Sequence, residues 1–337
     1  MRKKAVLILY TAAASLFSSC GDNPLLIDVS QVQVPQVTIR RFDRELFSVN
    51  AGNFEERNAA LKAAYGEYYE GFVQTLIWRK GIADSLYKEK LLEWLGNQYM
   101  RSLYDECQKV YPDLGDVEND LRSAFRYFRH YFPGRKLPVP VATMTGFYSS
   151  LSYADSLYCV GLDMYLGEGS RFYEYAQFPY YKRKTMNRYN LVPDFIRGWM
   201  MNEFPDKSQK NDLLSQIVYQ GKIMYLLDAF LPEAEDSVKI AFTGKQLGWC
   251  EANEKNIWGY MIENEMLYST SAEVIAKFVN EGPFTSGFVK ESPARTGIWI
   301  GWQMVRAYMK KTKKTLPQLM AEPDARKILD ESKYKPN

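Results

Sequence analysis

Apolar residues recur every three to four positions along most of the chain, which is the spacing that one face of an α-helix requires. The longest such run extends from Phe54 to Arg79. Pro133 and Gly134 form a stop signal for a helix over about 116–132. The same spacing predicts further helices at about 83–96, 97–110, 194–204, 211–230, 244–266, 271–280, 297–312 and 325–332.

The period changes after Pro133. Val139, Val141, Thr143 and Thr145 occupy alternate positions, which predicts a strand. Pro138 and Pro140 are interleaved with them, and because proline cannot donate a ladder hydrogen bond, we expect an edge strand. Residues 150–153 and 157–162 are its expected partners in a small sheet. The chain is therefore predicted to be mainly α (α+β), with one compact helical domain over residues 38–337.

The N-terminus carries three cations, an uncharged and mostly apolar run from Ala5 to Phe17, and two serines before Cys20. This is the pattern of an export signal, and the run is too short to span a bilayer, which takes roughly 20 residues. The Ser-Ser-Cys junction resembles the lipobox of bacterial lipoproteins. That resemblance implies removal of a signal peptide over residues 1–19, acylation of Cys20, and a tether over residues 20–37. The alternative is an ordinary signal peptide in which Cys20 is incidental.

Charge and composition exclude several classes of protein. The chain has 43 Lys and Arg against 40 Asp and Glu, and loss of the three signal-peptide cations leaves 40 of each. Such a balance without a basic run argues against nucleic-acid binding. A single histidine, His130, excludes most histidine-based metal sites, so no metal is predicted. The sequence has no P-loop and no Rossmann glycine fingerprint, so no cofactor is predicted either. Cys107, Cys159 and Cys250 fit buried apolar positions, with one disulfide as the alternative.

Glycoside hydrolysis needs only two carboxylates, so apolar-flanked acids are candidates for chemistry. Glu203 ends an apolar helix, while Glu254 and Glu263 lie on two sides of another. An apolar setting would raise the pKa of such an acid and let it donate a proton. The alternative is a buried salt bridge to Lys222 or Arg306. The candidate pocket or buried polar cluster thus comprises Asn202, Glu203, Lys222, Glu254, Glu263 and Arg306.

Aromatic residues are abundant, with 25 Tyr, 18 Phe and 7 Trp. Residues 173–184 mix rings with cations, and such a loop could stack sugars or form a protein interface. The alternative is that its tyrosines border the core and keep only their hydroxyls in water.

Several blocks in order resemble the GldB family of gliding-motility lipoproteins of Bacteroidetes. The blocks are residues 37–47, 161–167, 199–205, 220–225, 246–258, 282–285, 295–302 and 332–336. The resemblance implies a cell-envelope lipoprotein of a gliding or associated secretion apparatus, without an assigned catalytic activity. Because relatives also occur in bacteria that do not glide, motility itself need not apply.

The strand followed by helices at 194–204 and 211–230 also looks like a zincin-type metalloprotease scaffold. In such scaffolds the first helix carries HExxH and the second carries a glutamate ligand. Here the first offers Trp199, Asn202 and Glu203, and the second offers Gln220 to Lys222. Since no histidine is available for a three-ligand zinc site, the similarity implies a degenerate scaffold without its metal.

Three functional hypotheses follow. The first, which we favour, is a non-catalytic interaction protein, held by its lipid at the periplasmic face of the outer membrane and bound to other envelope proteins. The second is a metal-free hydrolase or glycan-binding lipoprotein that uses the apolar-flanked carboxylates. The third is a cryptic metalloprotease, which would hold stoichiometric zinc.

Overall fold

The structure is a computed structural model that describes residues 23–336. Every helix that the apolar spacing predicts is present, and the short helices of four to six residues went unpredicted because they contain too few turns to show a period. In chain order the helices are α1 (Phe42–Phe47), α2 (Phe54–Phe72), α3 (Tyr87–Gly96), α4 (Gln98–Val110), α5 (Gly115–Tyr131), α6 (Arg171–Tyr175), α7 (Tyr180–Arg183), α8 (Arg188–Glu203), α9 (Leu213–Phe230), α10 (Asp236–Ile240), α11 (Gly244–Glu263), α12 (Ala272–Val279), α13 (Thr296–Thr312), α14 (Leu316–Ala321) and α15 (Ala325–Ser332).

The sheet has four strands: β1 (Arg40–Arg41), β2 (Val139–Thr143), β3 (Leu151–Ala154) and β4 (Leu157–Gly161). They lie in the order β1-β2-β4-β3, with β3 antiparallel to β4 and the other pairs parallel. This confirms the α+β class.

The expectation that β2 is an edge strand is wrong, because β1 and β4 flank it on both sides. The backbone N–H of Val139 donates to Ser156 on the β4 side, so the nitrogen of Pro140 faces the β1 side. On that side, β1 begins opposite Val141 and has no residue opposite Pro140. The missing N–H of Pro140 therefore costs no ladder hydrogen bond. A two-residue strand therefore lets β2 be internal despite Pro140.

Helix α9 is the centre of the core. It is apolar on nearly all sides, as expected for a helix with neighbours all round it. It packs against α5, α8, α12, α13 and α15, with its most extensive contact along α13. Its first turn is capped by the Asp212 side chain, which accepts the N–H of Ser215 at 2.9 Å.

The segment suggested as a tether packs against the domain from its first described residues. Asn23 donates through Nδ2 to the carbonyl of Pro232 at 3.2 Å, and Tyr127 on α5 donates to the carbonyl of Ile27 at 3.1 Å. Val29 and Val37 are buried. The chain that follows Cys20 is therefore fixed to the domain within a few residues, while the signal peptide and Cys20 itself lie outside the described residues.

Candidate functional site

The six predicted cluster residues do not converge on one pocket. Asn202 and Glu203 end α8 at the surface. Asn202 donates from Nδ2 to the Tyr158 hydroxyl, and Glu203 pairs with Arg135, whose guanidinium also lies 4.5 Å from the ring centre of Phe204. Glu203 thus has a salt bridge, but with a partner other than the ones expected from the sequence.

The two acids of α11 face different surroundings. Glu254 accepts a hydrogen bond from the hydroxyl of Tyr334 at 2.6 Å, and the ring of Tyr334 packs edge-on against Trp258. Glu263 is exposed at the end of α11. Glu254 therefore holds the C-terminal segment against α11. Neither acid is paired with Lys222 or Arg306.

Lys222 lies in the middle of α9 and is 8% exposed. Its Nζ donates to the backbone carbonyl of Glu322, and the carboxylate of Glu322 pairs with Lys327 instead. Burial lowers the pKa of Lys222 to about 8, although Glu322 and Asp206 partly oppose this shift. The cleft around its head group is about 20 Å³, which is close to the size of one water molecule.

We predict that stability depends on pH through Lys222. Its pKa is about 8 folded and 10.5 unfolded, so the unfolded chain binds more protons between these values and stability rises with pH. Relative to Lys222→Met, the wild-type free energy of unfolding should rise by about 3 kcal/mol across this window. The measurement is urea unfolding of both proteins as a function of pH.

Lys207→Met is the matched control, because Lys207 is exposed beside the same cleft. Its difference from the wild type should stay constant over the window. A constant difference for Lys222→Met as well would show that burial does not perturb this lysine.

Arg306 belongs to a network that the sequence did not indicate. Its guanidinium donates to both carboxylate oxygens of Asp228, each at 2.7 Å, and to both of Asp236 at 2.7 and 2.9 Å. Lys239 donates to Asp228 at 3.1 Å, and Trp302 donates through Nε1 to Asp228 at 2.8 Å. The network joins α9, α10 and α13.

Burial and pairing act against each other in this network. Burial alone would raise the pKa of Asp236, but Arg306 and Lys239 outweigh it and lower that pKa. Burial would likewise lower the pKa of Arg306, and the two carboxylates raise it above its ordinary value. The charges of Arg306 and Lys239 balance those of Asp228 and Asp236. The contacts among them hold α9, α10 and α13 together. The sequence signal for the network was Asp228, the one acidic residue of a mostly apolar helix.

Asp163 is a second carboxylate whose role the sequence did not indicate. It lies in the block of residues 161–167, which begins and ends with glycine. Asp163 is fully buried after β4 and accepts hydrogen bonds from the backbone N–H of Phe147 at 2.6 Å and of Thr145 at 3.2 Å. Burial raises its pKa to about 6, against the effect of these donors. A Cβ on Gly161 would lie 2.5 Å from the carbonyl of Ser149. The block therefore shapes the 145–149 loop.

Residues 171–189 together with Tyr148 form a tyrosine-rich surface. Tyr175, Tyr180 and Tyr189 are 68%, 62% and 82% exposed. Tyr148, 68% exposed, lies on a loop whose Phe147 packs on Tyr173 and Phe178 of this segment. The ammonium of Lys184 lies 4.7 Å from the centre of the Tyr180 ring. The exposed ring of Tyr180 thus lies beside a cation, while Tyr173 is buried.

A family model described as gliding motility protein GldB matches residues 22–336. The chain belongs to the GldB family. No curated protein and no solved structure matches it. As a member of this family it is a gliding-motility-associated lipoprotein of the cell envelope. Across residues 23–336, no helix combines the length and apolarity needed to cross a bilayer.

Several GldB blocks coincide with the contacts that hold the domain together. Residues 220–225 and 295–302 place Gly221 of α9 against Gly301 of α13. Residues 332–336 supply Tyr334, the partner of Glu254 in the block at 246–258.

The described part of the chain contains no group of three His, Cys, Asp or Glu side chains that could hold a metal ion. The zincin-like scaffold stays a prediction. Cys107, Cys159 and Cys250 are buried and are free thiols.

Proposed function

We propose that this GldB-family chain is a non-catalytic docking lipoprotein. It is anchored by an acylated Cys20 at the periplasmic face of the outer membrane and binds another envelope protein through the tyrosine-rich surface. The observation that carries the proposal is the exposure of Tyr175, Tyr180 and Tyr189 within one short segment. Tyrosine and arginine are enriched in protein interfaces because they bury much area and still donate hydrogen bonds.

The placement of the candidate acids also supports a role without catalysis. Hydrolysis by two carboxylates needs both acids on one substrate, about 5–9.5 Å apart. Glu203 and Glu254 are bound to Arg135 and Tyr334, which lie in different parts of the fold, and Glu263 is a solvent-exposed helix end. The tyrosine-rich surface instead offers rings beside the cations Lys182 and Lys184, and this positive charge suits a partner that presents carboxylates.

Site-specific photo-crosslinking in cells tests this surface. A crosslinker at position 175, 180 or 189 should give an adduct of defined mass with one envelope protein. Tyr153 is the matched control, since it is 56% exposed but stacks on Tyr158, which contacts Asn202 at the far end of α8 from Tyr189. Replacing Tyr180 with alanine should weaken binding of the captured partner about tenfold.

Two results would refute this docking surface. One is an adduct yield at position 153 equal to that at position 180, and the other is the absence of adducts at positions 175, 180 and 189.

A further inference from the structure

An open cleft of about 1020 Å³ lies where the N-terminal segment meets the domain. Asn23, Pro24 and Leu25 form part of its rim, and the C-terminal end of α13 with the start of α14 forms another part. Its apolar wall includes Met309 and Leu316. The half-buried rings of Tyr131 and Tyr225 also line it, and such amphipathic rings favour boundaries between apolar and aqueous regions.

The cleft is cationic, although the mature chain is neutral. Five Lys and Arg side chains line it against two Asp, a surplus of three positive charges. Asp228 and Asp236 are both committed to Arg306 and Lys239. Lys314 pairs with Glu331, whereas Lys310 and Lys313 are exposed and have no acidic partner within residues 23–336. Those two lysines are free to meet an anion.

The position of the cleft relative to the anchor follows from chain length. Asn23 is fixed by its hydrogen bond to Pro232, and the three residues from Cys20 to Asn23 span at most about 11 Å. If Cys20 is acylated, its backbone lies within this distance of the rim, and the membrane surface is close to the cleft. The lipid head groups are then the nearest source of phosphate to Lys310 and Lys313.

We infer that this cleft binds the phosphate of anionic phospholipid head groups in the leaflet that holds the anchor. The inference rests on the proposed anchoring at Cys20. Lys310 and Lys313 meet the phosphate, and the half-buried rings of Tyr131 and Tyr225 lie at the level of the glycerol backbone. Binding at the cleft in addition to the lipid anchor fixes how the domain is oriented on the membrane, because a single point of attachment leaves it free to rotate.

The test uses the mature chain, residues 20–337 with Cys20→Ser, which keeps every residue that the structure describes and carries no acyl chain. Its binding to vesicles of phosphatidylcholine alone is compared with binding to vesicles of phosphatidylcholine and phosphatidylglycerol in equal parts. Binding should require phosphatidylglycerol. A lysine near an anionic membrane surface contributes about a fivefold gain in binding, so Lys310→Gln with Lys313→Gln should weaken it roughly 30-fold.

The matched control is Lys62→Gln with Lys290→Gln, which removes the same charge from exposed lysines that do not line the cleft. It should bind within twofold of the parent. Equal binding to both vesicle types would overturn the inference, and so would equal losses in the two double variants. Displacement from the vesicles by inorganic phosphate would assign the cleft to free phosphate and overturn its assignment to lipid.

The anchor is tested separately by the mass of the Cys20 peptide from the protein purified from cells. A peptide without acyl chains would refute the anchoring. The vesicle measurement depends on the cleft alone, because the Cys20→Ser protein carries no lipid.

Discussion

Replacing Asp228 with alanine is expected to lower the free energy of unfolding by about 3–5 kcal/mol, because buried Lys239 and the indole N–H of Trp302 both lose their closest hydrogen-bond acceptor. The side chains of Asp228 and Lys239 are 6% and 4% exposed. Asp228 lies in the last turn of α9, where the helix dipole disfavours an anion, so Lys239 and Arg306 are needed to hold it. Urea unfolding monitored by circular dichroism measures the loss.

Asp236→Ala is the control for this prediction. Asp236 shares Arg306 with Asp228, but its side chain is 30% exposed, and surface ion pairs contribute about 1 kcal/mol or less. The Asp236 variant should therefore remain folded and lose about 1 kcal/mol. Equal small losses in both variants would mean that the network does not hold α9, α10 and α13 together.

Gly301→Ala is expected to destabilise the domain by about 3 kcal/mol or more, because the backbones of α9 and α13 touch there. A Cβ on Gly301 would lie 1.8 Å from the carbonyl oxygen of Ile217, and one on Gly221 would lie 2.2 Å from the carbonyl oxygen of Gly301. Both contacts are to backbone, so only separation of the two helices can relieve them. The thermal midpoint and the urea midpoint of the purified variant measure the effect.

Gly248→Ala is the matched control, since Gly248 is an exposed position inside α11, and an alanine methyl there would have no neighbouring atom within 4 Å. Alanine favours the helix at this position, so the variant should gain about 0.5–1 kcal/mol. A Gly301→Ala protein as stable as the wild type would contradict the close crossing of α9 and α13.

The start of a helix could be predicted where its capping residue is close in sequence to its first apolar residues. Asn97 accepts the N–H groups of Tyr99 and Met100, which starts α4 within one residue of the predicted position. Asp324 starts α15 in the same way. Such signals are local, so a single sequence is enough to find them.

The partners of charged residues could not be predicted, because they come from far along the chain. Arg306 and Asp228 are separated by 78 residues, and Glu254 and Tyr334 by 80. Apolar spacing shows which face of a helix is buried but not which helix covers it. The internal position of β2 was missed for the same reason, since its neighbour β1 precedes it by about a hundred residues and is only two residues long.

The candidate site was predicted in composition but not in arrangement. The sequence indicated that residues 173–184 mix rings with cations, and the fold adds that Tyr175 and Tyr180 face solvent while Tyr173 is buried. That division depends on Phe147 and Phe178, which pack against the ring of Tyr173. The segment is too short for apolar periodicity to show which of its tyrosines are buried.

Rescue of a strain that lacks this chain tests the central claim, docking without catalysis, most directly. We expect the triple variant Glu203→Gln, Glu254→Gln and Glu263→Gln to restore the wild-type phenotype. The triple variant Tyr175→Ala, Tyr180→Ala and Tyr189→Ala, present in the membrane at the same level, should fail to do so. Rescue by the tyrosine variant together with failure of the folded, membrane-bound glutamate variant would contradict the account.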